Sequence, residues 1–201
     1  MASLARPGGN ATGVNFFSDE TQSKVLSLLH ELVPKAVRVG LLVNPTNAPI
    51  ADANLREVRE AAPTLGLQIQ VLNASTIGEI NAAFAALARE RAEALFVTGG
   101  AFFSSRRAQL VTLAARDRIP AAYSQRAFPA VGGLMSYGTN PTDTWRQVGV
   151  YTGNILKGAK PAELPVQQAV KFDFVINRGT ATLLGIEVPP HLLGLADEVI
   201  E

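Results

Sequence analysis

Cysteine is absent from this chain of 201 residues, which excludes disulfide bonds, a thiol nucleophile and a cysteine-ligated metal site. An excess of one charge is also absent, because 18 basic residues offset 17 acidic ones and leave a formal net charge of +1. The chain therefore lacks the basic field that nucleic-acid binding requires. No apolar stretch reaches the roughly 20 residues of a membrane-spanning helix. The first ten residues, MASLARPGGN, contain no apolar h-region, so neither a signal peptide nor an export route is predicted.

What the chain does contain is enough apolar material for a core. Hydrophobic residues make up 47% of the sequence and charged residues 17%, a balance too apolar for a disordered protein. The length is compatible with one or two compact lobes.

The first 138 residues alternate between apolar runs and amphipathic segments. The apolar runs predict six short strands: Gly13–Phe17, Val37–Val43, Leu67–Leu72, Ala94–Thr98, Pro120–Tyr123 and Leu134–Tyr137. Helical periodicity predicts four intervening helices: one capped by Ser18, one from Ile50 to about Leu65, one over Ile77–Arg91 and one starting at Ser104 or Ser105. Repeated strand–helix–strand units predict an α/β fold with a parallel sheet and helices on both faces.

The pattern changes after Gly138. A long helix is predicted over Thr142–Leu156, followed by a strand within Lys171–Asn177 and a helix around Gly179–Leu184. We interpret Trp145, on the long helix, as a packing residue.

Ligands of open parallel sheets bind beyond the carboxyl ends of the strands. Five loops at those ends carry hydroxyls, amides or aromatic rings, which suit the polar head and apolar body of a small molecule. The residues predicted to bind it are Asn44, Thr46, Asn47, Ser75, Gly100, Phe102, Tyr123, Ser124 and Tyr137. The alternative for Asn44, Ser75 and Asn140 is a turn or capping role, and for Phe102 and Phe103 a place in the core.

Common enzyme signatures are missing from the sequence, among them GxxxxGK[ST], GxGxxG, GxSxG and HExxH. His30 and His191 have no carboxylate or serine partner nearby in sequence, so we interpret them as solvated or capping residues. We therefore predict no catalytic residue, no cofactor and no metal site. A small α/β hydrolase is the enzymatic alternative, and it would need Ser104, Ser105 or Ser124 beside a histidine.

Four blocks of sequence carry a family resemblance over essentially the whole chain. They are SLARPGGNATGV (Ser3–Val14), LAARDRIPAAYSQRAFPAVGGLMSYG (Leu113–Gly138), YTGNILKGAKPAELPVQQAVKFDFVIN (Tyr151–Asn177) and TATLLGIEVPPHLLGLADEVIE (Thr180–Glu201). Their order and spacing resemble the ABC-transporter substrate-binding family, whose better-known members bind aromatic amino acids. The chain departs from that family at Ala127, where relatives usually carry an acidic residue, and near Arg178, where they carry a Leu-Lys pair.

The resemblance implies a type I periplasmic-binding fold, in which two α/β lobes close around a small solute such as an amino acid. The solute then passes to a membrane permease driven by an ATPase, and the implied location is the periplasm. By the same resemblance, residues 1–13 form a crossover, residues 14–138 the second lobe, and residues 139–201 a returning helix with the C-terminal elements. The first lobe and the signal peptide of the relatives are then missing from this sequence.

Without that lobe, the returning helix has no sheet to cover, and its apolar residues predict self-association into a homo-oligomer. These residues are Val148, Val150, Tyr151, Ile155 and Leu156. Exchange of C-terminal segments is one route to such an assembly. A different class of function is the ligand-sensing effector domain of a repressor. That function requires a helix-turn-helix segment, which residues 1–10 cannot supply.

Overall fold

The computed structural model describes residues 3–15, 21–168 and 171–201. Its strands are β1 (Val14–Asn15), β2 (Arg38–Val43), β3 (Gln68–Asn73), β4 (Ala94–Val97), β5 (Ala121–Tyr123), β6 (Met135–Thr139), β7 (Gln167–Gln168), β8 (Phe172–Asn177) and β9 (Glu198–Ile200). Its α-helices are α1 (Thr21–Leu32), α2 (Ala48–Ala61), α3 (Ile77–Arg89), α4 (Ala101–Ser105), α5 (Arg107–Arg116), α6 (Pro141–Leu156), α7 (Arg178–Leu184) and α8 (Pro190–Leu195). Short 3₁₀ turns occupy Ala62–Leu65, Pro129–Val131 and Pro161–Glu163.

The chain divides into two compact units. Unit 1 comprises Met1–Asp19 and Thr139–Phe172, and unit 2 comprises Glu20–Gly138 and Asp173–Glu201. The three-part division drawn from the sequence stays a prediction. The helix cap predicted at Ser18 lies outside the described residues.

A seven-stranded sheet forms the centre of unit 2, with the strand order β3-β2-β4-β5-β6-β8-β9. The five strands from β3 to β6 pair in parallel, and so do β8 and β9. The remaining neighbours, β6 and β8, run in opposite directions, because the Asn177 N–H donates to the Leu134 carbonyl (2.8 Å) while the Asn140 N–H donates to the Lys171 carbonyl (2.9 Å). The α/β class with a mostly parallel sheet is therefore confirmed.

Both faces of this sheet are covered, which explains the uninterrupted apolar strands. In β4, Phe96 packs in one core cluster with the Leu and Val residues of α1, and the neighbouring Val97 packs in the other with residues of α3 and α5. Successive side chains of a strand point to opposite faces, so a strand buried on both sides needs apolar residues at every position. The burial of all four β4 residues follows from this arrangement.

Two predicted boundaries in this part of the chain were wrong. The helix expected to begin at Ser104 or Ser105 is α5, which begins at Arg107, and a separate short helix, α4, starts directly after Gly100 at its N-cap and was not predicted. The strand expected to end at Tyr137 continues to Thr139, because Gly138 lets the neighbouring backbone approach closely enough for the strand to continue. Tyr137 therefore belongs to β6 and not to a loop after it.

Unit 1 is held together by contacts between distant parts of the chain. Strands β1 and β7 pair in parallel, with Val14 opposite Gln167. The Thr12 hydroxyl donates to the Leu164 carbonyl (2.7 Å), and the Tyr151 hydroxyl of α6 donates to the Pro165 carbonyl (2.6 Å). Helix α6 begins at Asn140, whose side chain accepts a hydrogen bond from the Asp143 N–H (2.8 Å), so Asn140 is an N-cap.

Two expectations for α6 were wrong. Trp145 is 66% exposed, so it does not pack in the interior. Tyr151 is buried and does not belong to an exposed apolar surface. The hydroxyl of Tyr151 donates to the Pro165 carbonyl inside unit 1, which anchors this face of the helix.

Candidate functional site

The loops that follow β2 to β5, together with the end of β6, lie side by side at one edge of the unit 2 sheet. We call this edge the carboxyl rim, formed by Asn44–Asn47, Ala74–Thr76, Thr98–Phe102, Ser124–Arg126 and Tyr137–Gly138. Hydrogen bonds tie the starts of two of these loops to the end of β2. The Ala74 N–H donates to the Val43 carbonyl (2.9 Å), and the Thr98 hydroxyl donates to the Leu42 carbonyl (2.9 Å).

The central part of the carboxyl rim is the tightest. A β-carbon on Gly99 would lie 3.5 Å from the β-carbon of Ser124, and one on Gly138 would lie 2.0 Å from the Ser124 carbonyl oxygen. The loops after β4 and β5 and the end of β6 therefore meet at Ser124. The Ser104 hydroxyl adds a cross-link to the Gln125 side-chain oxygen (2.6 Å).

The strand order changes direction between β2 and β4. From β2 the chain passes outward to β3 and then returns across β2 to β4 and β5. Open α/β sheets bind ligands at such a switch point, because the loops on its two sides lead away from each other and leave a crevice. Here the flanking loops contain Asn47 and Gly100.

Asn44 and Thr46 form hydrogen bonds with each other within one turn. The Asn44 side-chain oxygen accepts hydrogen bonds from the Thr46 N–H (3.0 Å) and from the Thr46 hydroxyl (2.8 Å). This is the turn role that the sequence left open for Asn44. These two hydrogen bonds do not use the side-chain amide nitrogen of Asn44, which can therefore donate to a ligand.

Ser75 is engaged in a comparable local network. Its N–H and its hydroxyl both donate to the Glu79 carboxylate (2.6 Å and 2.8 Å), and Thr76 completes a capping box with the same residue at the start of α3. The hydrogen bonds from Ser75 are the main reason that the pKa of Glu79 lies below its usual value. Ser75 therefore has the turn and capping role that was the alternative to ligand binding.

Asn47 and Gly100 lie in the two loops that flank the switch point, and Phe102 follows in α4. Asn47 occupies the N-cap position of α2, yet its side chain makes no capping hydrogen bond. Gly100 has φ +150°, a conformation that side chains disfavour, and open space surrounds the position of its missing β-carbon. Phe102 is half-buried, whereas the adjacent Phe103 is a core residue.

Tyr123 does not reach the carboxyl rim with its ring. Although it ends β5, its side chain is buried in the core between the sheet and α5, where the ring stacks on Phe128 at a centroid distance of 4.3 Å. Burial raises the pKa of Tyr123 above its usual value. Tyr137, by contrast, is half-buried on the opposite face of the sheet, and burial together with the nearby Asp197 charge raises its pKa.

Two serine hydroxyls near the carboxyl rim are buried and lack a hydrogen-bond partner among the described residues. They belong to Ser124, which was predicted, and to Ser136 of β6, which was missed. Ser136 pairs with Tyr123 across the strands, one residue before the rim position of Tyr137. A serine inside an apolar strand that aligns with a rim loop is a usable signal, because a buried hydroxyl usually has a partner.

The histidines do not form a hydrolytic pair with the serines singled out from the sequence. His191 Nε2 lies 2.9 Å from the Glu31 carboxylate, a contact between α8 and α1. The Ser104 hydroxyl donates to the Gly100 carbonyl and the Ser105 hydroxyl to the Phe102 carbonyl. In the described ranges no three histidine or acidic side chains cluster as metal ligands would, and no helix there has the length and hydropathy of a bilayer span.

The family of the chain is decided by comparison with known proteins. The family model described as "ABC transporter substrate binding protein" matches residues 1–200. The chain belongs to this family. The predicted family is thus confirmed, and the family is a class of binding proteins, not of enzymes. No curated protein matches the chain.

Solved structures agree with the family. A Streptococcus pneumoniae ABC domain in complex with L-Trp is 27% identical, with a TM-score of 0.89, and the match covers 98% of this chain and 66% of that one. A conserved domain protein from Vibrio cholerae is 24% identical with a TM-score of 0.88, covering 98% and 65% of the two chains. A ligand-free, open substrate-binding protein with adhesive properties from Clostridium difficile is 22% identical with a TM-score of 0.71, covering 100% and 65%.

The chain thus spans slightly less than two thirds of the length of these relatives. More distant similarity extends to repressors, for example a LacI-family regulator from Corynebacterium glutamicum at 9% identity and a TM-score of 0.58. At that identity the likeness shows the fold alone.

Proposed function

We propose that this chain is a solute-binding component of an ABC importer and that its carboxyl rim grips a small organic solute without chemical conversion. The observation that carries the proposal is the contiguous carboxyl rim, which includes the switch point between β2 and β4 and the loops that meet at Ser124 after β5. Such rims bind small molecules because free backbone amides and short polar side chains converge there. In the complete system, the solute would pass from the periplasm to a permease driven by an ATPase.

An aromatic amino acid is the solute class that the residues support best. Phe102 offers a half-buried ring for stacking, while the Asn47 side chain and the Ser124 hydroxyl offer hydrogen bonds to charged head groups. The Streptococcus pneumoniae relative holds L-Trp, which agrees in chemical class with these groups. A ligand-sensing role in a regulator would use the same rim, but the family match favours transport.

A titration with L-tryptophan followed by ¹H–¹⁵N NMR tests this proposal. We expect shift changes to concentrate at Gly99, Gly100 and Ser124, and we expect Phe102→Ala to weaken binding about threefold to tenfold through the lost aromatic contact. The matched control is Phe172→Ala, which truncates another half-buried phenylalanine, in unit 1. Shift changes confined to residues away from the carboxyl rim, or equal affinity of Phe102→Ala and the parent chain, contradict the proposal.

We also propose that the chain associates with a second copy through α6. Trp145 and Leu156 are 66% and 82% exposed, and Gly149 lies on the same side of the helix between them. Residues four and seven positions apart share one helix face, so these three form a continuous stripe. No atom lies within 4 Å of an ideal β-carbon on Gly149, which leaves room for close approach by another helix.

Light scattering coupled to size-exclusion chromatography measures this association directly. We expect a mass near twice the 21.3 kDa of one chain, and a single-chain mass for the double variant Trp145→Gln, Leu156→Gln. Leu183→Gln is the matched control, because Leu183 is 77% exposed in unit 2 and lies outside the stripe. A stable single-chain mass for the unaltered protein rejects the assembly.

A further inference from the structure

A cavity of about 740 Å³ lies within unit 2 at the amino ends of β5 and β6, the sheet edge opposite the carboxyl rim. It is bordered by α5, by the glycine-rich turn before β6 and by α7. Ile119, two residues before β5, and Leu134, directly before β6, form part of its wall. The volume falls within the roughly 300–1,000 Å³ that is usual for small-molecule sites.

The wall of this cavity is mostly apolar, and its mouth is apolar as well. Val111, Ala114 and Ala121 contribute buried aliphatic surface. At the mouth, Val131 and Leu183 are large hydrophobic side chains left exposed to solvent. Exposed apolar groups around a preformed concavity favour a ligand with an apolar body, since binding removes both surfaces from water.

One cationic side chain of the cavity wall, Arg118, lacks an acidic partner in the part of the chain that the structure describes. Arg118 makes no ion pair among the described residues, and its guanidinium donates to the Leu183 carbonyl at 3.3 Å. The neighbouring Arg116 is different, because it forms two hydrogen bonds with the Asp117 carboxylate (2.6 Å and 2.7 Å). Arg118 is therefore the guanidinium at this site that is available to an anion.

A buried hydroxyl is the second observation that indicates a ligand. Tyr123 lines the cavity, and its hydroxyl is buried without a hydrogen-bond partner in the described part of the chain. A buried hydroxyl without a partner destabilises the folded state, so native structures rarely keep one. A tyrosine hydroxyl is protonated at neutral pH and can donate a hydrogen bond, and burial raises the pKa of Tyr123 further above that range.

We propose that this cavity is a second binding site, separate from the carboxyl rim, for a small amphipathic organic anion. The apolar or aromatic body fills the cavity, the anionic head pairs with Arg118, and a polar atom of the body accepts a hydrogen bond from the Tyr123 hydroxyl. The site is independent of the proposed transport function, because it lies at the other end of the sheet and uses none of the rim loops.

Dansylglycine is a suitable probe, since it joins an aromatic body, sulfonyl oxygens that accept hydrogen bonds and a carboxylate. Titration of the full chain is expected to raise dansyl fluorescence to saturation. Ala115→Phe, which fills the cavity from an exposed lining position on α5, is expected to abolish this rise. Ala108→Phe is the matched control, because Ala108 is exposed on the same helix and does not line the cavity.

Two further variants separate the polar contacts. Arg118→Gln is expected to weaken the binding of dansylglycine about tenfold, the usual loss for a charge-assisted hydrogen bond. The affinity for dansylamide, which is uncharged, is expected to stay the same. Arg91→Gln is its control, because Arg91 and Arg118 both have positive φ (55° and 52°) just after a helix, and Arg91 lies outside the cavity. Tyr123→Phe is expected to weaken the binding of both probes about threefold, because it removes the hydroxyl and keeps the ring that stacks on Phe128.

Circular dichroism verifies that each variant is folded. If Ala115→Phe does not fold, the affinity of Arg118→Gln for dansylglycine tests whether the probe binds in the cavity. Fluorescence that never saturates, or saturation unchanged by Ala115→Phe, overturns the proposal. Equal affinities of Arg118→Gln and Arg91→Gln for dansylglycine overturn it as well.

Discussion

Gly138→Ala is expected to lower the free energy of unfolding of unit 2 by about 3 kcal/mol, near the upper end for overpacking. The added β-carbon would lie 2.0 Å from the Ser124 carbonyl oxygen, far inside van der Waals contact. Because the opposing atom belongs to the backbone, no side-chain rotation relieves the overlap, and β6 must move away from the loop after β5. The same movement displaces Ser124, so we also expect weaker binding of L-tryptophan at the carboxyl rim.

Urea denaturation followed by circular dichroism measures this change, with Gly78→Ala as the matched control. Gly78 lies in α3, in unit 2, and no atom lies within 4 Å of the position of its missing β-carbon. Alanine there is expected to stabilise the helix by about 0.5–1 kcal/mol. Equal stability of Gly138→Ala and the unaltered chain would show that β6 and the loop after β5 approach less closely than we describe.

Phe96→Ala is expected to lower the free energy of unfolding by about 4 kcal/mol, a typical value for truncating a buried phenylalanine. Phe96 is fully buried in β4, which has β2 on one side and β5 on the other. Its ring lies in the core cluster that joins the sheet to α1, so the cavity left by truncation has little freedom to collapse.

The control for this prediction is Phe102→Ala, which removes the same number of atoms from a half-buried position after β4. We expect it to lose about 1 kcal/mol, because part of the ring is already in water. Thermal unfolding of both variants gives the comparison. A loss for Phe96→Ala no larger than that for Phe102→Ala is incompatible with a central position of β4 in the core.

The two proposed sites use opposite edges of one sheet. The carboxyl rim is polar and rich in turns, whereas the cavity at the amino ends of β5 and β6 is apolar with one available guanidinium. Their chemistry therefore selects different ligands. Arg118→Gln is expected to leave L-tryptophan binding unchanged, and Phe102→Ala is expected to leave dansylglycine binding unchanged, so failure of one proposal does not affect the other.

Local sequence patterns predicted the sheet well because its strands are buried on both faces. The run Val37–Val43 and the run Ala94–Thr98 contain apolar residues at almost every position, which distinguishes them from amphipathic helices. Both became strands within one residue of the expected ends. The errors occurred at Gly100 and Gly138, where backbone conformation and close approach depend on neighbours that are distant in sequence.

Predictions for single polar residues were less informative about the site. Asn44 and Ser75 form hydrogen bonds within their own turns, and Tyr123 lies in the core with a hydroxyl near a different cavity. Residue type and loop position do not specify the direction of a side chain at the end of a strand. Ser136 was missed because only residues of the loops and strand ends were predicted to bind a ligand, although a serine inside an apolar strand was the available signal.

The sequence by itself determined the α/β class and the strands β2 to β6, because hydrophobic periodicity and turn residues act over a few positions. The resemblance of four sequence blocks indicated the family. The tertiary structure alone decided which buried hydroxyls lack a partner among the described residues, that His191 contacts Glu31, and that Trp145 is exposed. Those features arise from the packing of segments far apart in the chain, and packing depends on three-dimensional neighbours that no local pattern encodes.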